Sequence, residues 1–498
     1  MMIRQALTLL GTVGAALLWA PAQDRAQDRP KAPFHVLFSN DFTNIGSCTS
    51  PYHKRGQRWR PEMLEATVDE TAGTAVDVHM LQPCMTWVPW WPSRVYPLQE
   101  HHRWWKEYFG VDLHARKLIP AIHQYILDGG NPLKVFIARC RAKGQRAFIS
   151  LRLNDGHHLQ FVKDAHNTKA ISCISKFYAE HPEYRIGPDL NNWDQHVHNW
   201  AIPEARAYKL ALIKEICTNY DIDGLELDFM RHPSYFRQNE TTSAQRRKIM
   251  TDFVAEVRKA LDAGAKSGRR RWLCARVPSL LSWHDRLGID LPSLHVAGLD
   301  MVNVSAHYFT QQHHDLAKIR KLVPGAAVYL EMCHCTMTGQ AMGPGIGDIR
   351  QYTRTTDQQY YTTAHVAYRR GADGVSLFNF VYYRQHGHPG RGPFNEPPFD
   401  ALKHLADRQW LARQPQWYVL AKAWQTPMPK RFTQGQTHTL FLDMAPTEHQ
   451  QKEGLLRLRT ERDSAGGRFS VKLGRRPCGS GTSFLVVRCM RRMTARGS

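Results

Sequence analysis

Eight short strand-like runs, separated by helical ones, constrain this chain more than any other feature. They are FHVLFSND (34–41), VDVHMLQP (76–83), FISLRLND (148–155), DGLELDFM (223–230), RWLCARVP (271–278), LDMVNVSAHYF (299–309), AAVYLEMCH (326–334) and DGVSLFNFVYY (373–383). Between them, segments such as IPEARAYKLALIKEICTNY (202–220) and AQRRKIMTDFVAEVRKAL (244–261) place apolar residues three and four apart, the period of a helix with one buried face. Strands that alternate with helices pair in parallel through right-handed crossovers. Eight such units over about 350 residues predict a closed (β/α)8 TIM barrel.

Polar residues gather at the carboxyl ends of these runs, the rim that carries the active site in such a barrel whatever the reaction. In IDGLELDFMRHP (222–233), period-two alternation turns Glu226 and Asp228 into the interior, Asp228 nearer the mouth, and sets Leu225, Leu227 and Phe229 under the helices. A buried carboxylate costs several kcal/mol unless it is paired, so these two serve either a polar network or the chemistry. VYLEMC brings Glu331 to the end of the seventh run, on the interior if Ala327 and Tyr329 share its side. Two carboxyls across a barrel mouth are what glycosidic bond cleavage needs: one protonates the leaving oxygen, the other attacks or activates water. Asp228 is then the nucleophile or base and Glu331 the general acid. Asn154, Asp155, His157, Arg231, His232, Arg276, His307, Tyr308 and Asn379 fall where they could orient sugar hydroxyls. Glu226 belongs with them but lies deeper, where it is expected to pair with Arg152 or Arg276. The cations at the strand ends either bind an acidic sugar or neutralise the neighbouring acids, and the residues leave both open. No cofactor or metal is called for. The cluster Cys333, His334 and Cys335 has no second group at ligand spacing.

The run NWAIPEARAYKLALIKEICTNYDIDGLELDFMRHP resembles glycoside-hydrolase-like proteins of the family-10-like type. LRLNDGHH and RVPSLLSWHDRLGIDLPSL extend that resemblance over about residues 34 to 390. It implies a TIM barrel acting on carbohydrate, with Asp228 as the matching acid. The fourth run is also similar to the DGxDxDxE strand of chitinase-type hydrolases, whose last acid donates the proton; here Met230 stands in that place.

The ends and the insertion complete the reading. Residues 1–22 have a basic start, an apolar run from Ala6 to Ala20 and a small-residue cleavage pattern, which predicts a signal peptide and a secreted or periplasmic protein with no membrane span. The barrel is expected over 33–400. Its insertion at 84–147 holds TWVPWWP and HHRWWKEYF, whose tryptophans form either a minicore or stacking platforms for sugar rings. From 430, HTLFLDMAP, GLLRLRTE and GRFSVKLG alternate at period two and predict a small antiparallel β appendage, a pattern the last twenty or so residues do not continue. The formal charge is +22, and residues 468–498 alone carry eight Lys or Arg and no acid. With no nucleic-acid module in sight, that balance suits a carbohydrate partner, including an anionic one, rather than nucleic acid. A non-catalytic glycan-binding barrel is the alternative function. Cys140, Cys173, Cys217 and Cys274 sit inside regular runs and read as buried thiols, while Cys48 and Cys84 are the most plausible bridge. The sequence sets no oligomeric state.

Overall fold

The computed structural model describes residues 30–41, 58–84, 86–266, 268–337, 352–382, 397–421, 437–442, 444–446, 468–475 and 483–490. Eight parallel strands close into a barrel: β1 (Val36–Asp41), β2 (Val78–Gln82), β3 (Arg146–Arg152), β4 (Gly224–Asp228), β5 (Trp272–Pro278), β6 (Met301–Ser305), β7 (Ala327–Cys333) and β8 (Gly374–Phe378). Neighbours in sequence are neighbours in space, and β8 returns to β1. Covering helices include α1 (Pro61–Asp69), α2 (Leu98–Phe109), α3 (Pro132–Ala142), α4 (Pro203–Asn219), α5 (Ser243–Ala263), α6 (Leu291–Val296), α7 (Leu316–Leu322) and α8 (Asp357–Arg369). Their starts are written locally. Proline opens α1, α3 and α4, where a missing N–H costs nothing, and Thr242 with Gln245 and Thr356 with Gln359 form reciprocal capping boxes for α5 and α8.

The expected faces of β4 are observed. Leu225, Leu227 and Phe229 join Ile213 and Ile216 of α4 and Val254 and Val257 of α5 in the outer core, where full burial of such a side chain contributes about 1.5–3 kcal/mol. Inside, Leu37, Val78, Met80, Phe148, Cys274, Met301, Ala327 and Tyr329 fill the lower barrel. Gly224 makes room there, because a Cβ would enter the Phe148 ring.

At the lower rim one device repeats four times. Asp77, ahead of β2, accepts the amide of Val36 at the start of β1 (3.1 Å), and Asp223, ahead of β4, accepts that of Ala147 in β3 (3.0 Å). Asp300 does the same for Leu273 in β5 (3.0 Å), and Asp373 for Val328 in β7 (2.9 Å). Each carboxylate satisfies a strand-end donor that the ladder leaves open. Three of them are further held by arginine: Arg269 on Asp223, Arg258 on Asp300 and Arg320 on Asp373.

Trp87, Trp90, Trp91, Trp104 and Trp105 are all buried, so the insertion's tryptophans are a minicore and not sugar platforms. Trp104 and Trp105 pack with Leu159, Ile171, Ile174 and Tyr178 from the segment after β3. Trp91 Nε1 donates to Glu215 of α4 (2.9 Å), which ties the insertion to the barrel wall. Beyond the barrel, Thr437–Leu442, Arg468–Arg475 and Ser483–Met490 form an antiparallel sheet with the last strand in the middle. That central strand lies in the stretch where the alternating pattern was expected to stop. GLLRLRTE and residues 1–22 lie outside the described residues, as does Cys48, and Cys84 is a buried free thiol, like Cys140, Cys173, Cys217 and Cys274. Among the described residues no helix is long and apolar enough to cross a membrane.

Candidate active site

Toward the mouth the barrel interior turns polar. Arg276 of β5 lies between β4 and β7. Its Nη1 is 3.1 Å from both Asp228 oxygens, and its Nε and Nη2 grip Glu331 at 2.6 and 2.7 Å. Nη1 and the Nε/Nη2 edge are different sides of a planar guanidinium, so Arg276 stands between the two carboxyls. Beside this row, Arg152 of β3 reaches Asp41 (2.5 Å), Asp155 (2.6 Å) and Gln82 Oε1 (2.8 Å). Gln82 Nε2 in turn donates to Asp228 Oδ2 (3.2 Å), which links the two guanidinium groups through β2. Asp228 Oδ1 also accepts the amides of Met230 (2.8 Å) and Arg231 (3.2 Å), which fixes the turn leaving β4. Asp228, Arg276, Arg152 and Glu331 are all buried.

One layer below, Glu226 accepts from Ser150 Oγ (2.7 Å) and Asn303 Nδ2 (2.9 Å), with the Cys274 thiol at 3.7 Å. Burial, with the Asp228 charge above it, pushes its carboxyl up to about 7, against those hydrogen bonds. Glu331 is raised by burial too, opposed by Arg276 and by the Ser305 hydroxyl (2.6 Å). Burial also works against the Asp155 carboxylate, but the Arg152 charge and the hydrogen bond from the His157 ring outweigh it and hold it well below the usual range.

The rim is conformationally strained. Five described non-glycine residues have positive φ, and four of them follow barrel strands: His158 (62°), His232 (57°), His307 (69°) and Asn379 (50°). Such positions cost of order 1–3 kcal/mol each and cluster where function needs a fixed side-chain direction. On one side of this rim, His157 Nδ1 bonds Asp155 (2.5 Å) and its Nε2 accepts from Arg231 Nη2 (2.6 Å). His232 Nδ1 accepts the Gly156 amide (2.9 Å), and Trp193 stacks on its ring at 4.4 Å and 17°. Tyr308 lies 5.8 Å from the Arg231 guanidinium and edge-on to His334 (4.8 Å).

Asp155, His157 and His232 bring three donor atoms within 4.8 Å of one another, the composition of a metal triad. The donor set does not fit a cation. Arg231 on Nε2 fixes the His157 proton on Nδ1, facing Asp155, and Arg152 grips the other Asp155 oxygen, so an ion would have to expel that proton between two guanidinium groups. Burial, with Arg231 opposing protonation and Asp155 favouring it, takes His157 down to about 3, so the ring is a neutral relay.

Several expectations need correction. Glu226 pairs with neither Arg152 nor Arg276, because both arginines stand level with Asp228 in the strand register, whereas Ser150 and Cys274 stand level with Glu226. Asn154 is fully buried, and its amide donates to the His198 (2.8 Å) and Ser234 (2.6 Å) carbonyls, joining two loops behind the site. Asp155 and Arg276 are buried and act through other groups, and His307 offers its carbonyl to Arg276 (2.8 Å). Arg231, His232 and Tyr308 do come together with His157, while Asn379 follows β8 as a buried residue. Asp41 and Gln82, among the polar residues at the strand ends, belong to the network, and Trp193 was missed as a member of the site. Trp193, 44% exposed, sits in NNWDQH, where a lone aromatic among polar residues was the available signal.

No family model matches the sequence, nor does any curated protein. Solved structures similar in fold include the PgaB (BpsB) glycoside hydrolase domain from Bordetella bronchiseptica, at 10% identity and TM-score 0.45, covering 75% of this chain and 99% of that one. A Group II chitinase catalytic domain from Ostrinia furnacalis is similar at 10% identity and TM-score 0.43, over 75% of this chain and 97% of that one. α-L-Fucosidase isoenzyme 2 from Paenibacillus thiaminolyticus is similar at 11% identity and TM-score 0.41, over 76% of this chain. The chain spans about half (49%) of that fucosidase. At these identities the likeness is one of fold.

Proposed function

We propose that this chain is an exported glycoside hydrolase, with its catalytic domain over 33–400 and the family-10-like resemblance as its lineage. The observation that carries the reading is the row Asp228–Arg276–Glu331: two carboxyls on β4 and β7, held apart by one guanidinium at the mouth end of the barrel. A guanidinium standing between them keeps the carboxyls farther apart than the about 5–5.5 Å of a retaining pair, which favours inversion, where about 6.5–9.5 Å admits a water. In that reaction Asp228 takes a proton from water as its oxygen bonds to the anomeric carbon. The glycosidic C–O bond breaks, and Glu331, whose neutral form burial favours, gives its proton to the departing oxygen. The polar residues beside the row, His157, His232, Arg231 and Tyr308, orient the sugar.

A second reading has its own observation. Asp228 is fully buried and already receives hydrogen bonds from Met230 N, Arg231 N, Gln82 and Arg276, which suits a barrel that binds a glycan without cleaving it. A glycan panel with product anomers followed by NMR separates the two. Hydrolysis with inversion, falling about a hundredfold or more in Asp228→Asn and Glu331→Gln, supports the first. Binding without cleavage by the unaltered protein leaves the second.

A further inference from the structure

The arginines of the mouth differ in how they are neutralised. Arg152 has Asp41 and Asp155; Arg276 has Asp228 and Glu331. Arg231 has no carboxylate within ion-pair distance among the described residues. Its Nε is buried without an acceptor, and its Nη2 meets only His157, a neutral ring. A partly buried guanidinium without a counter-charge is unfavourable by itself, and an anion that completes it recovers the lost solvation. Beside it stands the exposed indole of Trp193, stacked on His232 (4.4 Å) and edge-on to His157 (5.7 Å). An unneutralised cation and an open aromatic face thus flank the same pair of histidines. The Arg231 amide bonds to Asp228, so this pair of groups adjoins the carboxylate row.

We propose that Arg231 and Trp193 form a subsite for an acidic sugar, with Arg231 taking a carboxylate or sulfate group and Trp193 the apolar face of the ring. The proposal rests on the carbohydrate reading above and names its substrate class. Arginine suits the role because its planar fork can bond both oxygens of one such group, and a flat indole matches the C–H face of a pyranose. Neutralisation of Arg231 by the ligand also removes one charge that opposes protonation of His157.

The test is calorimetric binding of matched oligosaccharides to the full-length protein: oligogalacturonate against its methyl ester, and a carrageenan oligosaccharide against its desulfated, neutral form. The acidic member of at least one pair is expected to bind tenfold or more tighter at low salt, and the pair that discriminates tells carboxylate from sulfate. Arg231→Gln should erase that preference, and Arg231→Lys should restore part of it. Trp193→Ala, at an exposed position, should weaken acidic and neutral members alike and leave the preference intact. Equal binding within both pairs, no binding of either acidic oligosaccharide, or a preference that survives Arg231→Gln overturns the proposal. An Arg231-dependent preference without any cleavage would remove the hydrolase reading and leave the subsite. Cleavage that ignores acidity would do the reverse.

Discussion

Replacing Glu226 by Gln tests whether the polar interior holds a proton at neutral pH. The folded protein binds this proton up to pH about 7, while an unfolded glutamic acid releases it near 4.5. Because the folded value is the higher one, the contribution of Glu226 to stability is complete at low pH and is lost as pH rises toward and through 7. From pH 5.5 upward the two states differ by one proton over about 1.5 pH units, which at 1.36 kcal/mol per unit is about 2 kcal/mol. Glutamine has nothing to titrate. It also turns its amide N–H₂ toward either Ser150 or Asn303, each a donor to a different oxygen of Glu226, and this adds an offset that does not vary with pH. Urea unfolding of both proteins, monitored by circular dichroism at several pH values from 5.5 to 8, should therefore show the variant gaining about 2 kcal/mol on the parent across the range, whatever the offset. A difference that stays constant within about 0.5 kcal/mol would mean that Glu226 ionises like an exposed acid, and the account of burial and Asp228 repulsion would be wrong.

Three further outcomes are expected. Arg276→Met leaves Asp228 and Glu331 buried without their cation and should cost about 3–5 kcal/mol in urea unfolding at pH 7; a cost below about 1 kcal/mol would mean that the row is not the hub described. In the insertion, His102 Nε2 lies 3.1 Å from His123 Nδ1, with His101 and His114 against them, and burial takes His102 down to about 4 and His123 well below its ordinary range. These folded values are depressed, so stability falls as pH drops below about 6.5, and His123→Phe should flatten that acid slope by about 1.4 kcal/mol per pH unit; an unchanged slope would sink the assignment. Gly374→Ala would drive a Cβ into the His35 carbonyl at the β8–β1 seam and should destabilise by about 1–3 kcal/mol in thermal melts, whereas a neutral change would contradict that register.

The barrel was legible because each strand shows its period over at least five residues and each covering helix its own. The overruns have one cause. AHYF after β6 and NFVYY after β8 are rich in strand-favouring aromatics, but the left-handed turns at His307 and Asn379 end the ladder first, and composition does not announce a turn built on a residue other than glycine. The inward carboxylates were legible from alternation alone. Their partners were not, because the choice between Glu226 and Asp228 as the arginine's acid depends on relative register: one two-residue step along β4 moves it from the Ser150 level to the Arg152 level. Trp193 escaped for the opposite reason: the crowded tryptophans of the insertion drew attention as platforms and are core, while the isolated one is exposed. The strand Ser483–Met490 was hidden by Arg, Cys and Gly on both sides, although SFLVVRCM is itself strand-like.

The aspartates at the lower rim divide the chain in a way the mouth does not. Each ties an even-numbered strand to the odd-numbered strand just before it, so the barrel's underside consists of four equivalent quarters, each a continuous stretch of sequence. The upper residues follow no such repeat. A circularly permuted chain opened after β2, β4 or β6 and rejoined across the β8–β1 seam would keep every aspartate on the same unbroken segment as the amide it holds. Opening it between β1 and β2 would separate Asp77 from Val36 and leave that quarter to assemble from the two ends of the polypeptide.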